Sequence, residues 1–145
     1  MAQEVADALT SFDINVWLDL TELGFDEPST DEEHIRLTHA IEAGLRNSTH
    51  LLALITPNTQ GSWWVPFEIG SSRAMSKKLA FLLHRDVRQT PSYFALGHGI
   101  ETKHQLFDWA EEISPTDGRN VNRAALASLR ASPLDKFVEL ILERK

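Results

Sequence analysis

Two short runs limit what this chain can fold into. Leu51-Leu52-Ala53-Leu54-Ile55 and Leu79-Ala80-Phe81-Leu82-Leu83 carry no polar side chain. A strand with one face in water alternates apolar and polar residues, because successive side chains point to opposite faces. A run that is apolar at every position predicts a strand covered on both faces, as in a parallel sheet flanked by helices. Between the runs, Pro57-Asn58 and Gly61 break the chain, and a helical pattern follows from about Pro66 to Ser76. Pro66 fits the first helical position, where its missing N–H is not needed. Ile69, Gly70, Arg73 and Ala74 give that helix a partly small face suited to close approach to the sheet. Strand, helix and parallel strand make an α/β unit.

The remaining segments extend the pattern. Val5, Ala6 and Leu9 predict a short helix over Ala2–Ser11. In Asp13–Asp19, Ile14, Val16 and Leu18 alternate with other residues, which predicts a strand ending at Asp19. Leu20–Ser29 is an acidic loop. Thr30 and Glu33 form a capping-box pattern opening a helix to about Asn47, with Leu37, Ile41, Gly44 and Leu45 facing inward. Arg85–Thr90 reads as polar loop, and Pro91-Ser92-Tyr93-Phe94 as a turn packed on the body. Leu106, Trp109, Ala110 and Ile113 mark a further helix, and Pro115–Gly118 break the chain. Ser132-Pro133 opens a last helix striped by Leu134, Phe137, Val138, Ile141 and Leu142. The alternation predicts a flavodoxin-like three-layer sandwich with a parallel sheet, and 145 residues suit a single domain, 1–145.

Composition removes several function classes. A net charge of −7 gives no basic face for nucleic acid. Without cysteine there is neither a disulfide framework nor a thiolate nucleophile. No signal-peptide pattern opens the chain and no apolar run spans a bilayer, so a soluble, cytoplasmic protein without membrane contact is expected. There is no Gly-rich phosphate loop and no plausible catalytic triad. Of the six scattered histidines only His34 and His39 approach each other, at a spacing that is not one helix face, so no metal site is expected.

The chemistry concentrates in Ser62-Trp63-Trp64-Val65-Pro66-Phe67-Glu68. A strand, a short loop and a helix start place Glu68 near the carboxyl edge of the sheet, where open α/β sheets bind ligands. Two tryptophans beside one carboxylate suit a flat or cyclic ligand. A plainer reading stands beside this one. A glutamate in a first helical turn is favoured by the helix dipole by at most about 1 kcal/mol, and the tryptophans can plug the sheet edge.

Three segments together resemble the Toll/interleukin receptor (TIR) domain family, in its bacterial stand-alone form. Val16-Trp17-Leu18-Asp19 is similar to the family's second strand, and Ser48–Pro57 to its third strand with a terminal Ser/Thr-Pro. Ser62–Glu68 resembles the specific motif, a serine and a tryptophan followed by a glutamate four residues after the tryptophan. The likeness is good over Ala2–Val87 and loose beyond. It implies an NAD⁺ glycohydrolase, cleaving the nicotinamide–ribose bond to nicotinamide and linear or cyclic ADP-ribose, in signalling or defence. Glu68 is then catalytic, and Trp64, Asp19, Ser62 and Trp63 bind substrate. NAD⁺ is the substrate and no cofactor is implied.

The resemblance also implies partners, either further copies of the chain or other TIR domains, with the Leu20–Ser29 loop near the contact. The family carries a strand before its first helix, central in the sheet between the Ile14–Leu18 and Leu51–Ile55 segments. This chain opens inside the helix instead. The alternative function is a non-catalytic TIR-type interaction module. A nucleoside-processing transferase is a third reading, since it too sets a glutamate beside a sugar.

Overall fold

The computed structural model describes residues 2–18 and 30–115. Asp19, the acidic loop Leu20–Ser29 and the helix expected after Pro133 lie outside the described residues. In chain order the elements are α1 (Ala2–Thr10), α2 (Asp31–Asn47), β1 (His50–Ile55), α3 (Trp64–Ala74), β2 (Lys78–Leu83), β3 (His98–Ile100) and α4 (Lys103–Ile113). They divide into two compact units, 2–18 with 100–115, and 30–99.

The first unit joins the two ends of the described chain. Val5, Ala6, Ala8 and Leu9 of α1 are buried, as are Leu106, Trp109 and Ala110 of α4. Phe12 is 1% exposed and stacks at 5.5 Å on Phe107, while the Ser114 hydroxyl donates to the Phe12 carbonyl at 2.7 Å. α4 opens with a capping box, Thr102 accepting from the Gln105 N–H and Gln105 reaching back to the Thr102 N–H. α1 closes in a Schellman turn. The Ile14 N–H reaches the Leu9 carbonyl, the Asp13 N–H reaches that of Thr10, and Asp13 takes φ 59°.

The strand expected at Ile14–Leu18 is not formed. The pleat period survives, with Ile14, Val16 and Leu18 half-buried and Asn15 and Trp17 exposed. Alternation reports only which side chains are covered. A strand also needs a neighbour to take its N–H and C=O groups, and none pairs with this segment among the described residues.

The second unit is a three-stranded sheet in the order β1-β2-β3 with helices on it. β1 and β2 are parallel in the register His50↔Lys78 to Ile55↔Leu83, as their apolar runs predict. β2 is buried from Leu79 to Leu83. β1 is not covered on both faces as expected: only Ala53 and Ile55 are buried, the rest half-buried. β3 carries only His-Gly-Ile, too short for any periodicity to mark it in the sequence. Ala53, Ile55, Ile69, Leu79, Phe81, Leu83 and Val87 form the core, with Tyr93 and Phe94 packed against it.

The Thr30–Glu33 capping box opens α2 as expected, and Ile41, Gly44 and Leu45 are its buried face. At its other end the Lys77 ammonium donates to the carbonyls of Arg46 and Ser48, joining the exit of α2 to the entry of β2. α3 faces the core with Ile69 and Ser72, while Gly70, Arg73 and Ala74 are exposed. The expected small face is therefore wrong: Gly70 has open space around it, and the stripe at three- and four-residue spacing is Val65, Ile69, Ser72. α3 ends in a second Schellman turn, with Ser76 at φ 56° and the Lys77 N–H on the Ser72 carbonyl. No described helix is long and apolar enough to cross a membrane.

Candidate functional site at the carboxyl edge of the sheet

The loop leaving β1 is built by two threonines. The Thr56 N–H donates to the Thr59 hydroxyl at 2.8 Å, the Thr59 N–H to the Thr56 hydroxyl at 3.2 Å, and the Thr59 hydroxyl to the Thr56 carbonyl at 3.0 Å. Thr59 is accordingly buried. This reciprocal pair is a capping box closed by a second hydroxyl, and the Thr-x-x-Thr spacing was its signal in the sequence. It turns the chain through Thr59–Gly61 and delivers it to α3 at the carboxyl ends of β1 and β2.

Ser62 fixes the start of α3, its hydroxyl accepting from the Trp64 N–H at 3.2 Å. Trp63 is the N-cap, already at φ −80° and ψ −23°, and α3 itself begins at Trp64. Pro66 is then the third helical residue rather than the expected first, still among the positions whose N–H has no partner in the helix. Glu68 is the fifth, not in the first turn. The dipole contribution falls off within that turn, so it accounts for little of the position of Glu68.

Trp64 and Glu68 stand four residues apart, hence on one face of α3 with Cβ atoms about 5–6 Å apart. Both are half-buried. Glu68 follows the helix start by about 6 Å along the axis, and its Oε1 is shielded from solvent. Trp64 meets Phe67 edge to face at 5.9 Å and 86°, which holds the indole against its own helix. Trp63 is different: it is 90% exposed and plugs nothing. Of the sequence-derived residues, Ser62, Trp63, Trp64 and Glu68 therefore come together around one helix start, and Asp19 lies outside the described residues.

The turn after β2 reaches the same edge and was read in the sequence only as polar loop. The His84 N–H donates to the Ile55 carbonyl at 2.7 Å, and the Val87 N–H closes the turn on the His84 carbonyl at 3.0 Å. Val87 is buried in the core. Arg85 Nε lies 3.5 Å from Asp86 Oδ1, and the Asp86 N–H donates to His84 Nδ1 at 3.2 Å. Farther along, Gln89, Thr90, Pro91 and Ser92 line an open recess of about 490 Å³. Among the described residues no group of three or more histidines and carboxylates is placed to hold a metal ion.

No family model matches this chain, and no curated protein matches it in sequence.

Proposed function

We propose that the chain is an NAD⁺ glycohydrolase of TIR type on a flavodoxin-like fold, with Glu68 as its catalytic carboxylate. The reading rests on one observation: Trp64 and Glu68 share a face of α3, both half-buried, beside the carboxyl ends of two parallel strands. The chemistry asks little more. Nicotinamide leaves a pyridinium as a neutral molecule, so no general acid is required. The C1′–N bond breaks with its electron pair going to the ring, water adds to C1′, and a proton passes to solvent. The transition state is an oxocarbenium-like ribose, which a carboxylate stabilises electrostatically. Trp64, one turn earlier on the same face of α3, would flank the bound ribose with apolar surface and lower the local dielectric, strengthening that interaction. The protein acts in the cytoplasm as a homo-oligomer or with other TIR domains.

The test is nicotinamide release from NAD⁺ by purified protein, at low and high protein concentration, for the wild type and Glu68→Gln. Glutamine keeps the shape and removes the charge. The expected loss is about 10²- to 10³-fold in rate, with the thermal melt almost unchanged. An active Gln variant overturns the assignment of Glu68. A second reading, a non-catalytic TIR-type interaction module, draws on the 90% exposure of Trp63, since an exposed tryptophan is a common interface anchor. NAD⁺ itself separates the two: in the second reading the wild type self-associates without releasing nicotinamide, and Trp63→Ala abolishes that association.

A further inference from the structure

We infer that the turn His84–Val87 is an anion site that takes the phosphate or pyrophosphate group of the ligand, with Arg85 as its principal donor. The turn is placed by the backbone, through the His84 N–H on the Ile55 carbonyl and the Val87 N–H on the His84 carbonyl. It is anchored by Val87, which is 2% exposed. It therefore stands rigidly at the carboxyl end of β2, beside the end of β1 from which the loop to α3 departs.

The Arg85 side chain is 28% exposed and its Nε side faces Asp86 Oδ1 at 3.5 Å. This contact orients the planar guanidinium, which matches phosphate oxygens in pairs. The His84 ring is held by Asp86 as well, its Nδ1 lying 3.7 Å from Asp86 Oδ2. Its Nδ1 accepts from the Asp86 N–H, so in the neutral ring the proton sits on Nε2.

The distribution of positive charge makes this position distinctive in a chain of net charge −7. Among the described cations of residues 30–99, Arg46, Arg73, Lys77 and Lys78 stand at the opposite end, where α2 and α3 finish and β2 begins. Arg36 lies on α2 against Glu32. Arg85 and Arg88 alone among them follow a strand's carboxyl end. A ligand with one neutral sugar end and one anionic end would then lie along the sheet edge, its sugar toward Glu68 and its phosphates toward Arg85. The source of the anion rests on the NAD⁺ reading above; the anion site does not.

The test uses the full chain and two probes, inorganic pyrophosphate and ADP-ribose, titrated by calorimetry into the wild type, Arg85→Ala and Arg85→Lys. Arg85→Ala should weaken both about ten- to a hundredfold. Arg85→Lys should recover part of the loss, and melts of the three proteins report whether each is folded. In parallel, nicotinamide release is measured from NAD⁺ and from nicotinamide riboside, which lacks the pyrophosphate. The KM for NAD⁺ should rise in Arg85→Ala with kcat changed less than about threefold, and the riboside should be unaffected. Wild-type protein that does not bind pyrophosphate, or Arg85→Ala that binds it equally well, overturns the proposal. Pyrophosphate binding through Arg85 without any NAD⁺ cleavage sinks the glycohydrolase reading and leaves the anion site standing. NAD⁺ cleavage with an unchanged KM in Arg85→Ala does the reverse.

Discussion

A Cβ built on Gly97 would lie 2.5 Å from the Leu79 carbonyl oxygen and 2.7 Å from both Leu79 Cβ and Phe81 Cε2. Its φ of −150° is open to any residue, so space and not backbone conformation demands the glycine. The carbonyl belongs to β2 and cannot swing away. Gly97→Ala should cost about 1–3 kcal/mol, the usual penalty for overpacking, read as a lowered denaturant midpoint. Ser76 has the opposite problem, room for a side chain but a left-handed backbone. Ser76→Gly removes a strain of about 1–2 kcal/mol and should raise the melting temperature. Ser72 has a hydroxyl buried on the core side of α3 with no hydrogen-bond partner, so Ser72→Ala should be neutral or stabilising. Tyr93 offers a pH probe. Burial raises its pKa above the usual 10.0, so folding holds the phenol proton beyond the pH at which the unfolded chain releases it. That stability is complete below pH 10 and is lost as the pH rises through the folded value. The chain has one tyrosine, so phenolate absorbance reads this group alone. Its midpoint should lie above 10 in native protein and return to about 10 in denaturant.

At the scale of elements, the turn Thr56–Thr59 decides where α3 begins. Thr59→Val removes the acceptor of the Thr56 N–H and the donor to the Thr56 carbonyl. It should cost about 1–3 kcal/mol and impair any activity that depends on Glu68, both measurable on one preparation. The pair β1 and β2 was legible in the sequence because apolar runs this short, bounded by chain breakers, suit a strand better than a helix, though full coverage holds only for β2. The α2 cap was legible because Thr30 and Glu33 sit at a diagnostic spacing. Other elements were not. Ile14–Leu18 has the period of a strand, but pairing depends on residues far away in sequence. β3 is three residues long, and its place follows from the tight fit of Gly97 against Leu79, which no local pattern encodes. At the site, the Trp64–Glu68 spacing was visible. The exposure of Trp63 was not, since burial is decided by what else arrives at the sheet edge. His84-Arg85-Asp86 looked like loop because its position comes from one backbone bond to Ile55.

On the scale of the whole molecule, the first unit is closed across 102 residues of separation by the bond from Ser114 to Phe12. Phe12→Ala would empty the space beside Phe107 and should cost about 3–5 kcal/mol, seen in a thermal melt. In the second unit, β2 lies between β1 and β3 and is covered from Leu79 onward. Its amide protons can therefore meet water only when the sheet itself comes apart. In deuterated buffer these amides should be the last of residues 30–99 to exchange, at the rate of global opening. The Lys77 clasp on Arg46 and Ser48 holds the two strand entries together, and Lys77→Met should speed exchange at Leu51 and Leu79 before it affects Ile55 and Leu83. In that variant the sheet unzips from its amino ends, so the edge that carries Glu68 and Arg85 is the last part of the strand pair to lose its shape.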